Sequence, residues 1–338
     1  MRKNFGGIIL IVVCQIVLLT GMAFADVSGN QDTYLSQKTI NSNVVEKIEN
    51  KNTEEEANKE KINELYVELA DEKLLKNVLP RLEAFGIVKK TPGEEHDLKK
   101  EVTREQLAKL MIAVLNMEKE AKDAQNLNLY TDISADRWSA GYVNLAGSLG
   151  IIDEKDEGVF SPEESVTYPE AIAGLIRVLG YKDEFLPGSW PGNYIAKAAD
   201  LDITDDVEFN PSGVVDRGDI LILINNTLKA SGIEKTVEDD GAIMYSEYND
   251  TFLKKKFGID KYDGVKILKA KKYVNNEGEA GEVKVEFSND TYDGKYKIGD
   301  VKIFKLLNES DLEKLEDIFA EEITVYVKDE IKVIYIEE

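Results

Sequence analysis

The sequence predicts a multidomain α+β protein. Its first part is all-α, three repeated units of short helices around a central bundle. A small β-rich, barrel-like domain with one helix follows. Three observations carry this prediction. From Leu65 to about Ala230, apolar residues recur every three or four positions, as in "LAKLMIAVL", "AIAGLIRVLGY" and "ILILINNTL". The same span repeats itself internally. Beyond Ser231 the period becomes two, in "GVKILKAKKYV", "GEVKVEFS", "GDVKIFKLL", "EITVYV" and "IKVIYIEE".

The chain begins with Met1-Arg2-Lys3, a nearly unbroken apolar run from Ile8 to Leu19, and Ala23-Phe24-Ala25. This order reads as a secretory signal, residues 1–25, cut after Ala25 and too short to remain as a membrane span. Cys14 lies inside the apolar run without small residues before it, which argues against a lipid anchor. The chain has 65 acidic and 42 basic residues, a net charge of −23; losing Arg2 and Lys3 takes this to −25. The mature chain then has no cysteine, which suits a bacterial wall better than a disulfide-stapled ectodomain. So negative a chain has no electrostatic reason to bind nucleic acid or an anionic membrane.

Residues 26–64 are polar and repetitive ("NSNVVEKIENKNTEEEANKEK") and read as a flexible tether. The helical repeats occupy 65–124, 125–183 and 184–231. Trp138 and Tyr142 precede Trp190 and Tyr194 by 52 positions, and Ala146/Ala198 and Ile151/Ile203 keep the same offset. "FSPEESVTYPEA" matches "FNPSGVVDRGDI", with Phe160 and Phe209 each six residues before a valine. The first copy is more worn. Its "RLEAFGIVKK" precedes "VTREQL" at the right interval, but it lacks the tryptophan and the Phe-x-Pro. Residues 232–338 form the β-rich domain, with Ser310-Asp-Leu-Glu313 capping its one helix.

Each repeat places a capping residue before its long helix: Thr103 with Gln106, Thr167 with Glu170, and Asp216 with Asp219. Capping accounts for Thr103, Gln106, Thr167, Glu170 and Asp216, the aspartate pair being a variant of the rule, but not for Arg104 and Arg217. A cation in the first helical turn opposes the helix dipole by roughly 0.3–1 kcal/mol. Two readings stay open: the arginines bind an anion beside free helix-start N–H groups, or they pair with nearby carboxylates. In the middle copy Tyr168, followed by Pro169, stands in the arginine's place.

The stretch "YTDISADRWSAGYVNLAGSLGIIDEKDEGVFSPEESVTYPEAIAGLIRVLGY" resembles an S-layer homology (SLH) domain. Its Asp132, Trp138, Leu149-Gly150-Ile151 turn and Gly158-Val-Phe160-Ser-Pro162 carry the likeness, with the segment usually written Thr-Arg-Ala-Glu. Residues 189–228 look like a second copy and Leu74–Met117 like a third. The resemblance implies a pseudo-threefold helical unit that docks on a secondary cell-wall polysaccharide, often through a pyruvylated sugar. It assigns the anion to Arg104 and Arg217, flanked by Thr103 and Asp216. At Tyr168 it leaves either a ring and hydroxyl facing sugar or a silent pocket. Trp138 and Trp190 either seal the core or present a flat face to a sugar ring.

Other signals carry less. "DEKDEG" fails as a calcium loop because Lys155 holds a ligand position. His96 is the only histidine, so a zinc site or a His-based triad is excluded by inventory. No metal and no cofactor is called for, and "YDG" at Tyr262 and Tyr292 reads as strand turns. "FLKKKFG" is a basic patch of low specificity. The expected role is non-enzymatic. The repeats anchor an exported protein to the wall of a Gram-positive-type bacterium, with peptidoglycan-linked glycan and other surface proteins as partners. The β-rich domain resembles accessory domains of clostridial wall proteins. The alternative is a structural S-layer lattice subunit whose β domain self-associates; a third is a wall-acting enzyme or inhibitor.

Overall fold

A computed structural model describes residues 74–89, 97–238, 241–275, 278–291, 293–306, 322–329 and 332–337. The predicted signal and tether, residues 65–73, His96, Tyr292 and the helix predicted at Ser310 lie outside them. The described residues are α+β. A π turn, Leu74–Val78, leads into α1 (Leu79–Ala84). There follow α2 (Arg104–Val114), α3 (Glu118–Asp123), α4 (Ala140–Ser148), α5 (Tyr168–Val178), α6 (Gly192–Asp200), α7 (Arg217–Lys229) and α8 (Phe252–Phe257).

Helices α2, α5 and α7 are the long ones, and each starts directly after the predicted cap, which lies in extended conformation. Their apolar stripes are fully buried: Leu107, Met111 and Ile112; Ile172, Leu175 and Ile176; Ile220, Leu223 and Ile224. Each such side chain stabilises by roughly 1.5–3 kcal/mol relative to exposure. Short helices lie against them, α4 on α2, α6 on α5 and α8 on α7.

The short helices end alike. Gly86, Gly150 and Gly258 turn through the left-handed region at φ 79°, 67° and 66°, and Asp202 does the same at 56°. A buried isoleucine follows each: Ile87, Ile151, Ile259 and Ile203. At Gly150 the bonds Gly150 N–H to Gly147 and Ile151 N–H to Ala146 form a Schellman end. "FLKKKFG", read from sequence as a basic patch, is therefore a fourth helix of this kind, with Phe252, Leu253 and Phe257 buried.

Three extended segments preceding α2, α5 and α7 bond in a ring. Val102 N–H donates to Val215, Val215 N–H to Val166, and Val166 N–H to Val102, at 3.1, 2.8 and 2.9 Å. The first amide of each long helix then donates to the next segment: Arg104 to Glu164, Tyr168 to Gly213, and Arg217 to Lys100. Glu105 and Gly218 N–H bond likewise to Pro162 and Leu98, a bond that Pro169 cannot make. The helix starts therefore support one another, and amides expected to be free for an anion are already bonded.

After α7 a two-stranded ribbon, β1 (Ile233–Val237) with β2 (Ile243–Glu247), runs antiparallel. Past α8 come β3 (Ile259–Asn275), β4 (Gly278–Phe287), β5 (Val301–Leu306), β6 (Glu322–Lys328) and β7 (Lys332–Glu337). This sheet closes on itself in the order β3-β4-β5-β7-β6, antiparallel except for β5 with β7. Inward residues alternate as the period-two pattern requires, with Val265, Ile267, Val283, Val285, Phe287, Phe304, Val325 and Val327 buried together.

The outer face of β6–β7 is buried too, against the helices. Tyr326 and Ile334, with Phe252 and Ile259, belong to the same apolar core as α2, α5 and α7. Arg81, 5% exposed, stands at this seam. It donates to Asn225 on α7 at 2.6 and 3.2 Å, to the Tyr326 hydroxyl at 3.2 Å and to Glu337 at 2.5 Å. The β-rich segment, expected as a separate domain, is packed onto the helical one.

Candidate functional site

The ring of helix starts creates three junctions. At each, the residue opening one long helix meets the extended segment of the next repeat, and in the first two junctions a phenylalanine of that repeat's loop, Phe160 or Phe209, lies beside it. In the first junction Arg104 is 2% exposed. Its Nε donates to the Phe160 carbonyl at 2.7 Å, one terminal nitrogen to Glu170 at 3.1 Å and the other to the Asp153 carbonyl at 2.5 Å. The guanidinium also lies 4.6 Å from the Phe160 ring centre. Burial pulls its pKa below the ordinary value, and the charges of Glu170 and Glu164 oppose that fall. The local mismatch with its own helix is thus offset by carbonyls and a carboxylate from the neighbour.

Beside Arg104 opens a pocket of about 390 Å³. Arg177 stands on its wall, donating to the Ile151 carbonyl and the Tyr194 hydroxyl, each at 3.2 Å, and pairing with Asp153 at 2.8 Å. Trp190, 52% exposed, forms the rim. Four carboxylates, Asp153, Glu154, Glu170 and Asp183, line the pocket with the two guanidiniums. It therefore offers an indole face and many hydrogen-bonding groups without a surplus of positive charge.

The second junction is closed. Tyr168 is buried, its ring edge-on to Phe209 with centroids 5.7 Å apart, and its hydroxyl donates to Asp219. Of the two sequence readings for Tyr168, facing sugar or silent, the geometry places the ring inside. Burial, with Asp216 and Glu208 nearby, pushes Asp219 above the usual carboxylate range, although the Tyr168 bond pulls the other way.

The third junction holds Arg217. It is half-buried, and among the described residues its guanidinium makes no hydrogen bond or ion pair. The position of Glu170 is here Gln106, whose side-chain oxygen accepts the Thr103 N–H at 3.1 Å. The Thr103 hydroxyl itself is buried without a partner, and Asp216 caps α7 by accepting the Asp219 N–H at 2.8 Å. Trp138 is 51% exposed, with Lys109 Nζ 5.8 Å from its ring. Glu105 fixes the loop before Trp138, accepting from Arg137 at 2.7 and 3.0 Å and from Ser139 at 2.5 Å.

Sequence reasoning located Arg104, Tyr168, Arg217 and both tryptophans but missed Arg177, Asp153 and Lys109. Arg177 and Lys109 lie nine and five residues into their helices, on the turns above the first residue, which is the one available signal.

Glu170 carries a pH dependence. Burial pushes its pKa up, but bonds from Thr167 and Lys155 outweigh this and leave it below its ordinary 4.5. Its contribution to stability is therefore complete above that value and lost as pH falls through the lowered one. The urea midpoint should fall with acidification below about pH 4.5. In Glu170→Gln that acid limb should be shallower, leaving the part due to other depressed carboxylates, among them Glu105, held low by Arg137 and Ser139 against its burial, and Asp263, held low by Lys261 and Thr324.

Residues 129–172, spanning α4 and the start of α5, match the S-layer homology domain family. The chain is 34% identical over 181 residues to the "Middle cell wall protein" of Brevibacillus brevis, covering 54% of this chain and 17% of that protein. It is 31% identical over 181 residues to the "Surface layer protein" of Brevibacillus choshinensis, covering 54% and 16%. It is 28% identical over 165 residues to the "Cell surface protein" of Thermoanaerobacter kivui, covering 48% and 21%. The match thus spans about a fifth or less of each relative's length. Over residues 129–172 the chain is similar to an S-layer homology domain, and the relatives it resembles carry wall and surface-layer names.

Proposed function

We propose that the helical part consists of three S-layer homology repeats and anchors an exported chain, without covalent linkage, to an anionic wall polysaccharide. The observation that carries this is the pocket at the first junction. Residues of all three segments build it, with a half-exposed indole at the rim and hydrogen-bonding groups below. That combination suits a sugar ring, which stacks one apolar face and hydrogen-bonds around its edge. The names of the relatives agree with a place on the wall. Several junctions on one rigid frame add avidity along a polymer. The role is non-enzymatic, and the closed sheet, packed on the helices, stiffens the anchor. A pyruvylated sugar is the proposed anionic group.

Co-sedimentation of the full chain with purified wall sacculi tests this. The chain should pellet with sacculi carrying their attached polysaccharide and stay in solution with sacculi stripped of it. Equal pelleting with both would remove the reading.

A further inference from the structure

The closed sheet has one wall that is only half paired. β5 pairs with β4 from Val301 to Leu306, but with β7 only at Lys305 and Leu306. Gly299, at φ 83°, and Asp300 both stand opposite Phe287: Gly299 N–H donates to the Phe287 carbonyl at 2.8 Å, and Phe287 N–H to the Asp300 carbonyl at 3.0 Å. This bulge sets the alternation that follows. Lys302 and Phe304 turn their backbone groups to β4. Val301 and Ile303 turn theirs to the other side, where no strand lies among the described residues. Their side chains stand on the outer face, 49% and 55% exposed, and Ile298, three residues before Val301, is 70% exposed. The same face carries Lys269, Lys284 and Lys305, all exposed and, among the described residues, without a side-chain ion pair or hydrogen bond. Lys269 and Lys284 are direct cross-strand partners, and Lys284 is also the partner of Ile303. Like charges so placed repel. Glu282 and Glu286 share the face but form no ion pair with the three, and Lys266 is taken by Glu322 at 3.4 Å.

Lysine on an open edge ordinarily wards off unwanted pairing. A merely protective edge would not keep Ile298, Val301 and Ile303 in water, and the repelling Lys269–Lys284 pair contributes nothing to the sheet. We propose that this edge of β5 is a docking site for an acidic, extended peptide segment of a partner protein, which adds to the sheet as a strand. The backbone groups of Val301 and Ile303 bond the incoming chain, and their side chains pack against alternate aliphatic ones on its outer side. Acidic side chains on that side reach Lys305 and Lys284, and Lys269 adds to the field from beyond. A second copy of this chain is the poorer occupant. Pairing β5 with β5 would bring the same lysines together, between two chains of net charge −23 each. A glycan is poorer too, because it lacks the row of backbone donors and acceptors that the edge calls for. None of these residues lines the pocket at the first junction, so docking here is separate from anchoring.

Fluorescence anisotropy of a labelled octapeptide of alternating valine and glutamate tests this on the full chain. The peptide should bind, and added salt should weaken it. The same octapeptide with lysine for glutamate, or N-methylated at alternate residues, should bind at least about tenfold more weakly. Lys284→Gln with Lys305→Gln should weaken the acidic peptide at least about fivefold. Ile303→Pro removes one outward N–H without touching a bond to β4 and should weaken it by a similar factor, whereas Ile303→Val should not. Urea unfolding checks each variant; if Ile303→Pro fails to fold, the N-methylated peptide carries the backbone test. A peptide that does not bind, or whose binding survives both N-methylation and the lysine changes, overturns the inference. So does a wild-type dimer in sedimentation velocity that Ile303→Pro dissolves, since a second copy then covers the edge. Polygalacturonate that binds as tightly as the peptide, and loses nothing in Ile303→Pro, overturns it as well, because the face then reads charge alone.

Discussion

Arg104→Ala is expected to lower the unfolding free energy by about 3–5 kcal/mol, the cost of breaking a buried ion pair from one side. The side chain is 2% exposed and satisfies Glu170 and the carbonyls of Phe160 and Asp153. Its removal strands the two carbonyls, takes one partner from Glu170, which keeps Lys155 and Thr167, and leaves a hole against the Phe160 ring. Arg104→Lys should recover only part of the loss, because an ammonium cannot address three divergent acceptors in one plane. Arg217→Ala, by contrast, should stay within about 0.5 kcal/mol of the parent. Urea unfolding of the three variants distinguishes them. Equal, small losses at Arg104 and Arg217 would mean that Arg104 is not the structural member of the pair.

The second large effect is expected at Arg81, where alanine should again cost about 3–5 kcal/mol. Arg81 ties three elements at once: α1 through its own backbone, α7 through Asn225, and the closed sheet through Tyr326 and Glu337. Its guanidinium also lies 5.6 Å from the Tyr326 ring centre. Hydrogen exchange separates a local from a shared loss. Amides of α7 and of β6–β7 should lose protection together in Arg81→Ala, because they share one core. Loss confined to β7 would show that the sheet is an appendage which opens without disturbing the helices.

The sequence carried the periodic features well, for a physical reason. Apolar stripes such as Ile172-Leu175-Ile176 are local patterns that burial enforces, and caps such as Thr167 with Glu170 are local bonds. The alternation of "GEVKVEFS" likewise places Val283, Val285 and Phe287 on one face of β4. What stayed illegible is set by contacts between distant segments. Nothing near Val102 announces that it bonds Val166 and Val215, so the helix-start amides looked free when they are taken. Arg104 and Arg217 looked equivalent because their own helices are alike. They differ because Glu170 faces one and Gln106 stands at the matching place for the other, more than a hundred residues away in the chain. Arg81 gave no sign at all, since its partners lie on α7 and β6–β7.

The most direct test of the central claim uses the two tryptophans, Trp190 at the rim of the first pocket and Trp138 beside Lys109 on α2, the only ones in the chain. In Trp190→Phe the fluorescence reports the surroundings of Trp138, and in Trp138→Phe it reports the first pocket. On titration with released wall polysaccharide, both variants should show saturable changes. If neither indole responds to polysaccharide that carries the chain down with the wall, the junctions are not where this protein holds its polymer.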